Sequence, residues 1–183
     1  MVKSDKQRNA MNSCESLNGG TNLKIQVFVY GTLKKGCFNH NRFCRNAVNI
    51  EKGVIWGRLY HLPAGYPAIE IPKTSIMANG STNPIIDTVI QNRIPADKMT
   101  FNRPLGDWDL VQGEIISFSD PLRDLSPIDR LEGFSPSGGS LYRRSLITSR
   151  LKTQLIPVWV YWFPECRGGT RVNSGKWIPT YTA

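Results

Sequence analysis

Six short stretches of this chain are rich in apolar, β-branched and aromatic residues, near residues 25–30, 53–61, 66–71, 111–118, 142–150 and 155–163. Such runs predict strands. In the first, Ile25, Val27 and Val29 fall on one face and Phe28 and Tyr30 on the other. A strand apolar on both faces belongs in the middle of a sheet. A helical pattern covers about 39–47, with Asn39 or Asn41 as cap and Phe43, Cys44 and Ala47 facing inward. A second helix of about two turns is predicted from Ser126, a natural N-cap, through Pro127 at the first helical position to a stop at Gly133. Ile128 and Leu131 can then face the core, and Asp129 completes a capping-box-like arrangement with Ser126.

Residues 73–107 break the pattern. They are rich in Asn, Pro, Ser and Thr, as in Ala78-Asn79-Gly80-Ser81-Thr82-Asn83-Pro84. A connection of that length is unusual in a compact domain and reads as an insertion. It is expected to be the least regular part of the fold, outside the core and bordering any pocket. Ile85, Ile86, Val89 and Ile90 are expected to fold back as a short strand or helix turn. The elements add up to an α+β fold, a mixed and closed or nearly closed β-barrel-like sheet with short peripheral helices. One domain is expected over 24–183, preceded by a disordered polar tail over 1–23.

The first strand runs directly into Tyr30-Gly31-Thr32-Leu33. Gly31 leaves no side chain in the way, so the amides of Thr32 and Leu33 can point at an anion, and Thr32 adds a hydroxyl. A small cradle for a carboxylate is one reading; a plain strand-to-loop turn is the other.

Composition narrows the class. The chain has 183 residues, enough for a real core, and its hydrophobic share of 40% is ordinary for a globular domain. No apolar run reaches the ~18 residues of a membrane span, and the first 22 residues hold no apolar signal stretch. No membrane association is expected, and a cytoplasmic location follows by default. The formal charge of +9 raises the question of nucleic acid. The basic residues are scattered and not interleaved with aromatics, so no nucleic-acid partner is expected; a basic surface favours small anions. Four cysteines (Cys14, Cys37, Cys44, Cys166) show no Cys-x-x-Cys spacing and read as free thiols, with no metal site. His40 and His61 are the only histidines, and no nucleophile elbow accompanies either.

Several segments together resemble the gamma-glutamylcyclotransferase-like family, with its avirulence-induced-gene-like and gamma-glutamylamine cyclotransferase-like members. Tyr30-Gly31-Thr32-Leu33 is similar to its Tyr-Gly-(Thr/Ser)-Leu signature, and Ile128-Asp129-Arg130-Leu131-Glu132-Gly133 to its Leu-Asp-x-(Leu/Phe)-Glu-Gly segment. Tyr142-Arg143-Arg144 matches the Tyr-x-Arg that follows. Gly57-Arg58-Leu59-Tyr60 with Tyr66-Pro67-Ala68, Val111-Gln112-Gly113-Glu114-Ile115, Val158-Trp159-Val160-Tyr161 and Gly175-Lys176-Trp177 resemble further stretches. The resemblance spans roughly 25–180. It implies cyclisation of a gamma-glutamyl amide to 5-oxoproline with release of an amine or amino acid, without metal or cofactor. It implies Glu132 as general acid and base, and a substrate site built from Tyr30, Gly31, Thr32, Leu33, Tyr142 and Tyr161. Arg144 is left with two roles, a clamp for a second carboxylate or a surface ion pair. The alternative is a fold relative without the activity that binds a small acidic metabolite or a protein partner. A monomer is favoured.

Overall fold

The structure, a computed structural model, describes residues 24–137 and 139–179. The predicted tail and Cys14 lie outside them. In chain order the elements are β1 (Ile25–Val29), α1 (His40–Phe43), β2 (Asn49–His61), β3 (Pro67–Glu70), β4 (Ala78–Asn79), α2 (Pro84–Asn92), β5 (Asp109–Phe118), α3 (Pro121–Leu131), β6 (Arg143–Leu151), β7 (Gln154–Trp162) and β8 (Thr170–Arg171).

Five strands close into a mixed barrel. β1 lies between β5, antiparallel, and β7, parallel. β6 runs antiparallel to β7 and β2 antiparallel to β5. The pairing of Val54 in β2 with Arg150 in β6 completes the ring. β3 and β8 extend β2, and β4 extends β6. The expected α+β barrel is the observed fold.

The period of two sorts side chains between two cores. Phe28, Tyr30, Ile55, Leu59, Ile115, Val158, Val160 and Trp162 fill the barrel. Ile25, Val27, Val29, Ile116, Phe118, Trp159 and Tyr161 pack outside it, under Leu125 and Ile128 of α3. β1 and β7 are apolar on both faces because both faces are covered. Among the described residues, no helix is long and apolar enough to cross a membrane.

The helices differ from the sequence expectation in three ways. α1 is a single turn, although Cys44 is buried and Phe43 and Ala47 pack inward as expected. α3 begins six residues earlier than the Ser126 cap implies. Asp120 caps it, accepting from the Arg123 amide at 3.1 Å, with Pro121 at the first position. Both Asp120-Pro121 and Ser126-Pro127 carry the same start signal. Burial of Leu125 and Ile128 against the barrel selects the longer helix, and Ser126 turns its hydroxyl back to the Leu122 carbonyl at 3.0 Å. Pro127 sits inside the helix and leaves the Arg123 carbonyl without its usual donor.

The third difference lies in the 73–107 stretch, part of which is regular and packs into the core, while 99–107 is irregular as expected. It contains β4, α2 and two 3₁₀ turns. α2 is capped by Asn83, whose side chain accepts from the Ile85 amide at 3.0 Å. It turns its polar face inward. Asp87, Thr88 and Gln91 are buried, while Ile85 and Ile86 are exposed. Gln91 accepts from the Gln26 amide at 3.0 Å and donates to the Lys24 carbonyl at 3.2 Å, tying the helix to the start of β1. The expected helix turn is therefore present, with Ile90 packed on the core but Ile85 and Ile86 turned outward. Replacing 75–103 by a short Gly/Ser linker, tolerable for an external loop, is expected here to cost at least about 3 kcal/mol, because it strips Asp87 from the buried Arg144. Urea denaturation of the shortened protein measures this.

Candidate active site

Four parts of the fold converge on a cavity of about 380 Å³. They are the end of β1 with its Tyr30–Leu33 loop, the Tyr66-Pro67 turn, the C-terminal end of α3, and Leu141-Tyr142 ahead of β6; Tyr161 of β7 joins them. All seven residues singled out from the sequence, Glu132, Tyr30, Gly31, Thr32, Leu33, Tyr142 and Tyr161, line this one space.

Glu132 directly follows α3 as its C-cap, held by a closed C-terminal motif. The Gly133 amide donates to the Arg130 carbonyl at 3.2 Å and the Phe134 amide to the Asp129 carbonyl at 2.8 Å. Gly133 takes φ +60, the left-handed conformation such a stop requires. The carboxylate of Glu132 has no hydrogen bond or ion pair among the described residues, and it lines the cavity. Burial alone pushes its pKa up to about 7. The negative end of the helix dipole acts in the same direction. Tyr142 is held above the ordinary phenol range by burial first and then by the charge of Glu132.

The Tyr30–Leu33 loop is organised by its carbonyls. Gly31 O accepts from the Lys34 amide at 3.1 Å, Thr32 O from the Asn39 amide at 3.2 Å, and Leu33 O from His40 Nδ1 at 2.8 Å. A carbonyl only accepts, so Nδ1 carries the His40 proton. The amides of Gly31, Thr32 and Leu33 donate to no protein acceptor among the described residues, which leaves three successive donors free at the cavity wall. Thr32 Oγ1 accepts from Asn39 Nδ2 at 3.0 Å and keeps its own proton to donate.

Gly31 is required by contact rather than by backbone conformation. Its φ is not positive, but a Cβ there would overlap the Pro67 ring. Gly31→Val is expected to cost about 1–3 kcal/mol by overpacking and to push the loop off its position. A lower urea midpoint together with lost binding of a gamma-glutamyl analogue by calorimetry is the expected outcome.

The three tyrosine hydroxyls already donate to protein. Tyr30 donates to the Tyr161 carbonyl at 3.0 Å, Tyr142 to the Pro67 carbonyl at 3.2 Å, and Tyr161 to Asp129 Oδ1 at 2.6 Å. Each retains lone pairs.

Arg144 has neither of the roles read from the sequence. It is 1% exposed and forms ion pairs with Asp129 of α3 and Asp87 of α2. It also donates to the Ser81 carbonyl at 2.8 Å. Its guanidinium lies 4.5 Å from the Phe134 ring centroid. Asp129 is accordingly a half-buried partner of Arg144 rather than a capping residue. Burial raises its pKa, with Arg144 pulling the other way. Sequence reasoning missed Asp87, Asp129 and the loop supports Asn39 and His40. Residue spacing carries no signal for the first two, because their pairing is set by how α2 and α3 pack.

The other candidates are accounted for structurally. His61 Nδ1 accepts from Trp177 Nε1 at 3.2 Å. Cys37, Cys44 and Cys166 are free, and burial pushes Cys44 and Cys166 up to about 12. Lys34, Lys52, Arg150, Lys152 and Lys176 line a second cavity of about 480 Å³. Among the described residues no aromatic side chain lines it, so these offer no stacking platform for bases.

No curated protein matches the sequence. Among solved structures, the fold is similar to YkqA from Bacillus subtilis, at 18% identity and TM-score 0.51, over 84% of this chain and 39% of that one. The chain thus spans about two fifths of the length of YkqA. An AIG2-like protein from Mus musculus is also similar, at 15% identity and TM-score 0.45, over 87% of this chain and 99% of the mouse protein. A family model matches residues 27–85 and 99–179, which hold the Tyr30–Leu33 loop, the end of α3 with Glu132, and Tyr142 to Arg144. By that match the chain belongs to the family described as Gamma-glutamyl cyclotransferase, AIG2-like.

Proposed function

We propose that this protein cyclises a gamma-glutamyl amide, releasing 5-oxoproline and an amine, with Glu132 moving the proton. The observation that carries the reading is a carboxyl group without a protein partner, pushed up to about 7, in one cavity with three unpaired backbone amides. Family membership supports this reaction class.

The chemistry asks little beyond placement. The substrate's α-nitrogen attacks its own γ-carbonyl carbon. A C–N bond forms to close the five-membered lactam, and the amide C–N bond breaks. One proton leaves the attacking nitrogen and one must reach the departing nitrogen. A single carboxylate serves both transfers when its pKa lies near the working pH. Holding the two reacting atoms together is worth an effective molarity of about 10⁵ M or more.

The roles follow from the free valences. The amides of Gly31, Thr32 and Leu33 and the Thr32 hydroxyl hold the α-carboxylate. Tyr30, Tyr142 and Tyr161 offer lone pairs, because their protons are already donated to protein, and so orient the α-amine rather than the carbonyl. Glu132 takes the proton from that amine and returns it to the leaving one.

Incubation with a panel of gamma-glutamyl amides, followed by mass spectrometry of 5-oxoproline, tests the reading. Lactam formation above the uncatalysed rate supports it. Absence of lactam across the panel, with the protein folded, removes it.

A further inference from the structure

We infer that the substrates of this site are gamma-glutamyl amides of apolar amines, an inference that rests on the cyclotransferase reading above. It comes from how the cavity changes along its depth. One part, the inner end, is lined by the buried Tyr30, Gly31, Leu33, Tyr142 and Tyr161 with the half-buried Thr32 and Glu132, and carries the hydrogen-bonding groups. The outer end is formed by Phe38, Tyr66, Leu131 and Leu141, all exposed, with Phe38 at 72% and Leu141 at 68%. Scattered exposed apolar side chains are ordinary. Four large ones brought to one cavity mouth from separate parts of the chain form a surface suited to covering by an apolar group.

The gamma-glutamyl half of a substrate is polar throughout and matches the inner end, where the free amides and Glu132 lie. The leaving amine is then what passes through the mouth and meets these side chains. Charge sharpens the choice. Among the described residues, Arg130 and Glu132 are the only Asp, Glu, Lys or Arg side chains lining the cavity. Arg130 is exposed and forms no ion pair among the described residues. Asp129 is engaged by Arg144 and Tyr161. A leaving group with a second ammonium would meet a cation at the mouth and no free carboxylate there. An alkyl or aryl amine meets apolar surface and loses nothing.

Three matched substrates separate these cases: the gamma-glutamyl amides of methylamine, n-pentylamine and 1,5-diaminopentane. The pentyl compound should exceed the methyl compound in kcat/KM by about tenfold or more, and the aminopentyl compound by a similar factor. Equal values for pentyl and methyl, or an aminopentyl value at or above pentyl, overturn the inference. Phe38→Ser with Leu141→Ser should bring the pentyl-to-methyl ratio close to one; an unchanged ratio also overturns it. Calorimetry on the Glu132→Gln protein ranks the same three compounds by binding, without turnover. Tighter pentyl binding with no lactam from wild type leaves the apolar preference standing while the cyclotransferase reading falls. Equal binding of all three removes the preference, whatever the turnover.

Discussion

Glu132→Gln is expected to lower lactam formation by roughly 10²–10⁴-fold, while the protein becomes more stable at alkaline pH rather than less. The two effects share one cause. The folded protein holds the Glu132 proton up to about 7, against an ordinary value of 4.5. A carboxyl raised in this way binds more protons folded than unfolded between those values. Stability is therefore greatest below the unfolded value, falls as pH rises toward about 7, and levels off above it. Glutamine carries no charge and escapes this loss. At pH 8 the variant should exceed wild type by about 1–3 kcal/mol, the upper end being the full shift and the lower allowing for water in the cavity. At pH 5 the gap should nearly close. Urea midpoints at the two pH values measure this. Wild-type turnover should fall as pH drops below about 7, and the residual activity of the variant should lack that inflection. Near-wild-type turnover by the glutamine protein would remove Glu132 as the shuttle.

Arg144→Met should have the largest effect on stability. The guanidinium is buried between two carboxylates, Asp87 at 0% exposure and Asp129. Removing the cation leaves both acids without a counter-charge in the interior, at a cost of about 3–5 kcal/mol. Much of a small domain's total stability would be lost. The deficit should shrink in acid, because burial already raises the pKa of Asp129 and protonating it removes an uncompensated charge. A triple variant, Arg144→Met with Asp87→Asn and Asp129→Asn, should recover part of the loss at pH 7 for the same reason. Urea titrations of wild type, single and triple variants at pH 7 and pH 4.5 give the comparison. Equal stability of Arg144→Met and wild type at pH 7 would show that the ion pairs contribute nothing.

The parts of the site that lie next to one another in the chain were legible in the sequence. Alternation alone placed Ile25, Val27 and Val29 on one face of β1 and Phe28 and Tyr30 on the other, and both faces are buried. The strand-to-loop step at Gly31 and the helix stop at Gly133 are local events, encoded by glycine where the chain needs closeness to Pro67 or a positive φ. The period of two cannot show which strands meet, so the Val54–Arg150 pairing that closes the barrel emerged only in three dimensions. Local signals also failed where two of them competed. Asp120-Pro121 and Ser126-Pro127 are equivalent helix starts on paper, and the burial of Leu125 against the barrel decided between them.

Tertiary structure alone decided the electrostatics. Asp129 reads locally as a capping acid and Arg144 as a carboxylate clamp or a surface ion pair, while Asp87 falls in the 73–107 stretch. The three instead form one cluster around the buried Arg144, because α2 packs its polar face inward and brings a second carboxylate to it. Sequence determined the barrel's strands, the Gly31 turn and the residue types at the cavity. Packing of elements far apart in the chain determined which charges are paired. It left Glu132 without a partner in the cavity, where burial pushes its pKa up to about 7, because desolvation depends on what surrounds a group in space and not on its neighbours in sequence.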